Sequence, residues 1–177
     1  MLKPNIQELI RFFYFFLLNS KILKKKEGAP LKILVFSGTG AFVDGLAGHF
    51  SRSRKPAESK TPVSAMIQFE RISLPEGLIL HLYKMPVEKR FSFMWEALSS
   101  DAHAYVIAIE DEKGVENAEF IHSFCQKRFP GVPGVLVNQG RSAVEGNPSL
   151  PSEIIPLAGD SPDYDRFLSH LFTTMLS

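Results

Sequence analysis

The chain has 177 residues, 45% of them hydrophobic, and a formal net charge of +1. That length can bury a full core as one domain, and the near-neutral balance gives no electrostatic footprint for nucleic acid, which is set aside as a partner. The single cysteine, Cys125, excludes an internal disulfide and fits a reducing, cytoplasmic setting, while the five scattered histidines lack metal-ligand spacing, so no metal is expected.

Residues 1–28 form a first unit. Ile6, Leu9, Ile10, Phe12, Phe13, Tyr14, Phe15, Phe16, Leu17 and Leu18 make a dense apolar block, broken by Arg11 and followed by Lys24-Lys25-Lys26. The unbroken apolar run is shorter than the roughly 20 residues that cross a bilayer. The charges follow it rather than precede it, and no small-residue cleavage site is evident, so it does not read as a signal peptide. Two placements stay open. The helix packs on its own domain or a partner subunit through Phe12, Phe13, Phe15 and Phe16, or residues 6–26 lie on an anionic membrane, at the inner face, with the lysines at the headgroups. Phenylalanines around most of the circumference favour the packed placement.

Glu27-Gly28-Ala29-Pro30 reads as a linker into a second unit, residues 29–177. Leu31–Phe36 is expected as a fully buried strand. Ser37-Gly38-Thr39-Gly40 follows as a glycine-rich turn, and Gly45–Phe50 begins a helix. A strand running through such a turn into a helix is where backbone N–H groups cradle phosphate. The working pattern G-x-x-x-x-G-K-[ST] is absent: Val43 stands where the lysine belongs and Asp44 where the magnesium-binding hydroxyl belongs. A carboxylate about 4 Å from a phosphate is repelled by roughly 4 kcal/mol at an effective dielectric near 20. Asp44 is therefore expected to cap its own helix and fill the anion hole itself. Gly38-Thr39-Gly40-Ala41-Phe42-Val43 resembles a dinucleotide fingerprint but ends in valine.

Further along, residues 51–62 read as a polar exposed loop, Val63–Leu74 as a strand, Pro75-Glu76-Gly77 as a tight turn and Leu78–Tyr83 as its hairpin partner. Phe91–Leu98 is a short helix, Ala104–Ile109 a buried strand, Val115–Phe129 a helix, Gly134–Val137 a buried strand, Ile154–Leu157 a last short strand, and Tyr164–Leu176 a helix with Phe167, Leu168, Leu171, Phe172 and Leu176 inward. Alternating strands and helices argue for an α/β domain with a mostly parallel sheet. The acidic run Glu110-Asp111-Glu112 reads as a solvated loop in preference to a metal set.

From Leu31 onward the chain resembles the bacterial Ras/Arf-like small GTPases, and within them the MglA-like group encoded with roadblock-type proteins. The segments that carry the resemblance are KILVFSGTGA (32–41), QFERISLPEGLILHLYKMP (68–86), EKRFSFMWEAL (88–98), YVIAIEDE (105–112) and GVLVNQG (134–140). The resemblance implies a three-layer fold, a mostly parallel six-stranded sheet with helices on both faces, and a nucleotide at the carboxyl ends of the strands. It also implies that Val87 replaces the glycine that senses the γ-phosphate and Glu88 the residue that positions water. Arg90 matches a family arginine, Thr61 would be a magnesium ligand in the switch-one region, and Asn138 remains of the guanine-reading pair whose carboxylate has become Arg141.

The function this points to is a pseudo-GTPase, a protein-binding or scaffold subunit of a bacterial polarity, motility or surface-machinery system. It would use no cofactor, GTP or GDP with magnesium binding only weakly, and would have a roadblock-type protein as partner. Gly38, Gly40, Val43, Asp44, Val87, Asn138 and Arg141 would be vestiges of a nucleotide site, and Arg90, Phe91, Phe93, Met94 and Trp95 the partner surface. The alternatives are an atypical nucleotide hydrolase borrowing Lys84 or Arg141 as its cation, and a membrane-tethered adaptor.

Overall fold

The structure is a computed structural model that describes residues 5–19, 30–50, 67–140, 147–151, 153–159 and 162–177. Arg141, Thr61, residues 27–29 of the linker, the loop at 51–62 and residues 63–66 of the expected second strand lie outside the described residues.

Six strands form one sheet in the order β2-β3-β1-β4-β5-β6. They are β1 (Leu31–Phe36), β2 (Gln68–Ser73), β3 (Ile79–Met85), β4 (Ala104–Ile109), β5 (Gly134–Asn138) and β6 (Ile154–Pro156). All neighbours pair in parallel except β2, which runs antiparallel to β3 with Phe69 opposite Tyr83. The helices are α1 (Ile6–Asn19), α2 (Ala41–Phe50), α3 (Ser92–Ser99), α4 (Glu112–Arg128) and α5 (Tyr164–Leu176).

The two-residue period of a strand sorts the core into two layers. Leu31, Ile33 and Val35 of β1, with Ala104, Val106 and Ala108 of β4, face α1, α2 and α5. Leu34 and Phe36, with Tyr105, Ile107 and Ile109, face α3 and α4. Apart from Lys32 near the start of β1, both strands are apolar because helices cover both faces, as a parallel arrangement requires. At the sheet's edge β2 buries only Ile72.

Two helices start earlier than hydrophobic periodicity indicates. The second helix begins at Ala41 rather than Gly45, and the fourth at Glu112 rather than Val115. In α4 the cause is a cap: Asp111 Oδ1 accepts the Gly114 N–H at 2.7 Å, so the acidic run expected as a loop forms the helix start. Likewise Asp163 Oδ1 accepts from Arg166 N at 2.9 Å to open α5. The turn at Pro75–Gly77 carries two left-handed residues, Glu76 (φ 62°) and Gly77 (φ 80°).

α1 packs on its own domain through one face. Ile10 and Phe13 are fully buried. The Phe13 ring stacks on Phe172 of α5 at 3.9 Å and 13°, and Arg11 Nε reaches Glu76 Oε1 at 2.8 Å. Phe13 therefore belongs to the core rather than to a membrane or partner face, because its i, i+3 spacing from Ile10 puts both on one stripe. Phe12 and Phe15 are 62% and 68% exposed on the other side. The Phe16 side chain lies outside the described residues. No helix among the described residues is long and apolar enough to cross a membrane.

Candidate functional site

The sheet order brings the turns after β1, β3, β4 and β5 to one edge. Phe36, the last residue of β1, pairs with Met85 on one side and Ile107 on the other. Residues 37–40 therefore sit between the turns that follow β3 and β4.

Within this turn Gly40 adopts φ 89°, a left-handed conformation that favours glycine. At Gly38 a Cβ would lie 3.0 Å from Glu110 Oε2. The turn's donors converge on that carboxylate. Glu110 Oε1 accepts from the Ser37 hydroxyl at 2.8 Å and the Thr39 hydroxyl at 2.7 Å, and Oε2 accepts the Thr39 N–H at 3.0 Å. The two hydroxyls in turn accept backbone N–H groups, Gly40 to Ser37 Oγ at 3.0 Å and Ala41 to Thr39 Oγ1 at 3.1 Å. One carboxylate thus terminates two short relays of hydrogen bonds, and charged acceptors make the stronger bonds.

The two residues expected in place of lysine and hydroxyl do different things. Val43 points into the core at 5% exposure. Asp44 is exposed in the first turn of α2, its N–H bonded to the Gly40 carbonyl at 3.0 Å. Asp44 therefore does not fill the loop as expected; Glu110 does, because β4 is the neighbour of β1 and delivers a side chain straight across to its turn. The Glu110-Asp111-Glu112 run was visible in the sequence, but the pairing of β1 with β4 that gives it meaning was not.

On the side of the loop toward β3 stands Lys84. A Cβ on Gly40 would lie 3.3 Å from Lys84 Nζ and 3.5 Å from Gln68 Oε1. Asn138 ends β5, and its Oδ1 accepts the Gly140 N–H at 3.0 Å in an Asx turn. Gly140 packs against the Glu110 carbonyl oxygen, which any Cβ there would strike.

Between the loop, the turn after β3 and the first half of α4 opens a cavity of about 490 Å3, with Thr39, Lys84, Val87, Arg90, Glu110 and Lys113 on its walls. Val87 is half-buried and packs against the α3/α4 core layer. Arg90 is exposed with its guanidinium 4.6 Å from the Phe91 ring centre. Phe91 and Met94 are half-buried, and Phe93 is 66% exposed.

Trp95, expected as a partner anchor, is instead fully buried. Its Nε1–H donates to the Pro86 carbonyl at 2.9 Å, and its ring meets Phe36 and Phe124 edge-on. As the largest side chain on the inner stripe of α3, it fills the core layer beneath the helix.

Cys125 is buried, which pushes its thiol up to about 12 and leaves it an inert hydrophobe. No three His, Cys, Asp or Glu side chains gather as a metal set among the described residues. No protein-family model matches the chain, and no curated protein does.

Proposed function

We propose that the chain is a pseudo-GTPase: a protein-binding subunit with the architecture of a Ras/Arf-like domain and no nucleotide cycle. The observation that carries this reading is the Glu110 carboxylate seated on the Ser37 and Thr39 donors that a phosphate would need. The residues present do not fit a nucleotide with magnesium. Val43 supplies no ammonium, Asp44 brings negative charge to the first turn of α2, and Glu110 already satisfies the loop. Lys84 lies close enough to the loop to offer charge, which is what an atypical hydrolase would require. A phosphate would still have to displace a tethered carboxylate to reach the same donors.

The partner surface on this reading comprises Arg90 and Phe91, which line the cavity, with Phe93 and Met94 of α3, together with Phe69 of β2, which is 51% exposed. Aromatic and arginine side chains are common anchors at interfaces. The partner class remains the roadblock-type protein that the sequence resemblance implies. A compatible second reading, peripheral membrane contact, is supported by exposed Phe12 and Phe15 on the outer side of α1, next to the sequence Lys24-Lys25-Lys26.

Thermal unfolding with and without millimolar GDP or GTP and Mg2+ tests the first reading. A micromolar site would add about 4 kcal/mol at a thousandfold excess of ligand over Kd. The expected result is no shift in Tm, and a shift of several degrees with either nucleotide would contradict it.

A further inference from the structure

Glu110 does more than fill the loop. Its carboxylate holds the turn between β1 and α2 through bonds of 2.7–3.0 Å. Its carbonyl oxygen is the surface against which Gly140, in the turn after β5, is packed. That second turn is itself fixed by the Gln139 N–H donating to Ile109 O at 2.8 Å and by Asn138 Oδ1 on Gly140. The residue after Glu110, Asp111, caps α4. Three turns leaving β1, β4 and β5 are thus tied at one position. On the side of the loop toward β3, Lys84 Nζ sits beside Gly40. In open α/β sheets a bound ligand usually joins the turns at this edge. Here a carboxylate of the chain itself does so.

We propose that Glu110 acts as the loop's built-in ligand and holds these turns in one arrangement with no small molecule bound. The inference rests on the pseudo-GTPase reading and supplies its regulation. Arg90 and Phe91 of the proposed partner surface line the same cavity as Glu110 and Lys84. That surface is therefore presented to a partner continuously rather than switched by nucleotide.

The chemistry makes the role of Glu110 specific. Glutamine at 110 keeps the length but turns one oxygen into an N–H2 donor, which then faces the Thr39 N–H or the two hydroxyls. Aspartate keeps the charge but falls short of the turn by one methylene. Both variants lose part of the set without emptying a core position.

The test is amide hydrogen exchange, resolved by residue, on the full chain and on Glu110→Gln, Glu110→Asp and Lys84→Met. In the intact protein the Thr39, Gly40 and Ala41 amides should exchange slowly. In both Glu110 variants they should speed up about tenfold, the loss of one charge-assisted bond, and the Gly140 amide should follow. Lys84→Met, which removes no hydrogen bond to the turn, should leave the Thr39, Gly40 and Ala41 amides unchanged. The Val106 amide of β4 should stay unchanged throughout, showing that the sheet is intact. Unchanged loop exchange in both Glu110 variants, or loop amides already unprotected in the intact protein, would overturn the proposal. A separate arm adds GDP with Mg2+ to the intact chain: unchanged rates support a loop held without ligand, whereas new protection at residues 37–41 would contradict the pseudo-GTPase reading itself.

Discussion

At the turn after β1, two side chains stand where a phosphate-binding loop would need a lysine and free donors. Val43 takes up core volume between the sheet and α2, and Glu110 takes up the donors of buried Ser37 and exposed Thr39. Gly40 is the third requirement, since its φ of 89° costs a β-carbon residue free energy that glycine does not lose. Gly40→Ala should therefore lower stability by about 1–2 kcal/mol in urea unfolding, whereas Gly48→Ala, where a Cβ meets nothing within 4 Å inside α2, should be neutral or mildly stabilising. Trp95 is a residue-scale case of a correct helix and a wrong face. An aromatic cluster in sequence does not say which member turns inward, and here the indole N–H found the Pro86 carbonyl. Trp95→Ala should cost about 3–5 kcal/mol as a core truncation, while Phe93→Ala should change stability by less than about 0.5 kcal/mol.

His103 provides a pH-dependence at the opposite edge of the sheet. Burial holds its imidazole below the ordinary value, with Asp101 pulling the other way, and Nδ1 accepts the Lys32 N–H at 3.0 Å. A histidine lowered in the folded state binds its proton more readily in the unfolded chain. The stability carried by neutral His103 is therefore complete above the unfolded value of about 6.5 and is lost as pH falls through the folded value. Burial lowers His122 in the same direction. Tm should drop on acidification below about pH 6.5, and His103→Asn, whose Oδ1 can accept the same N–H, should reduce that slope while His122 retains its part of it.

Among the elements, central strands were the most legible in sequence. β4 throughout and β1 from Ile33 on are apolar runs because they are covered on both faces, and α5 shows its inner stripe through Phe167, Leu168, Leu171 and Phe172. Helix starts were less legible, since a capping side chain and a polar first turn carry no hydrophobic period; α4 begins inside what reads as an acidic loop. α1 was ambiguous for the opposite reason. With phenylalanines on several sides, periodicity could not choose a face, and the choice was made by the Phe172 ring of α5, a contact distant in sequence. Phe13→Ala should accordingly destabilise by about 3–5 kcal/mol. Phe12→Ser with Phe15→Ser should leave urea unfolding within about 0.5 kcal/mol and abolish any flotation with anionic vesicles. Flotation by the intact chain that survives the double substitution would remove these two side chains from membrane contact.

At the scale of the whole molecule, the candidate site exists because four turns converge on one edge of a six-stranded sheet. Which side chain would end up on the glycine-rich turn depended on strand order. Glu110 comes from a strand adjacent in space, not in sequence, so the local reading assigned its role to Asp44, the nearest carboxylate along the chain. The absence of a lysine was readable directly from Val43, because it needs no neighbour to interpret. The claim at this scale is that the edge is complete without nucleotide. The direct measurement is titration of the intact protein with fluorescent GDP and GTP in Mg2+, beside an assay of nucleotide released from the purified protein on denaturation. No carried-over nucleotide and no saturation into the high micromolar range is the expected result. Stoichiometric nucleotide in the purified protein, or a saturable micromolar titration, would contradict it.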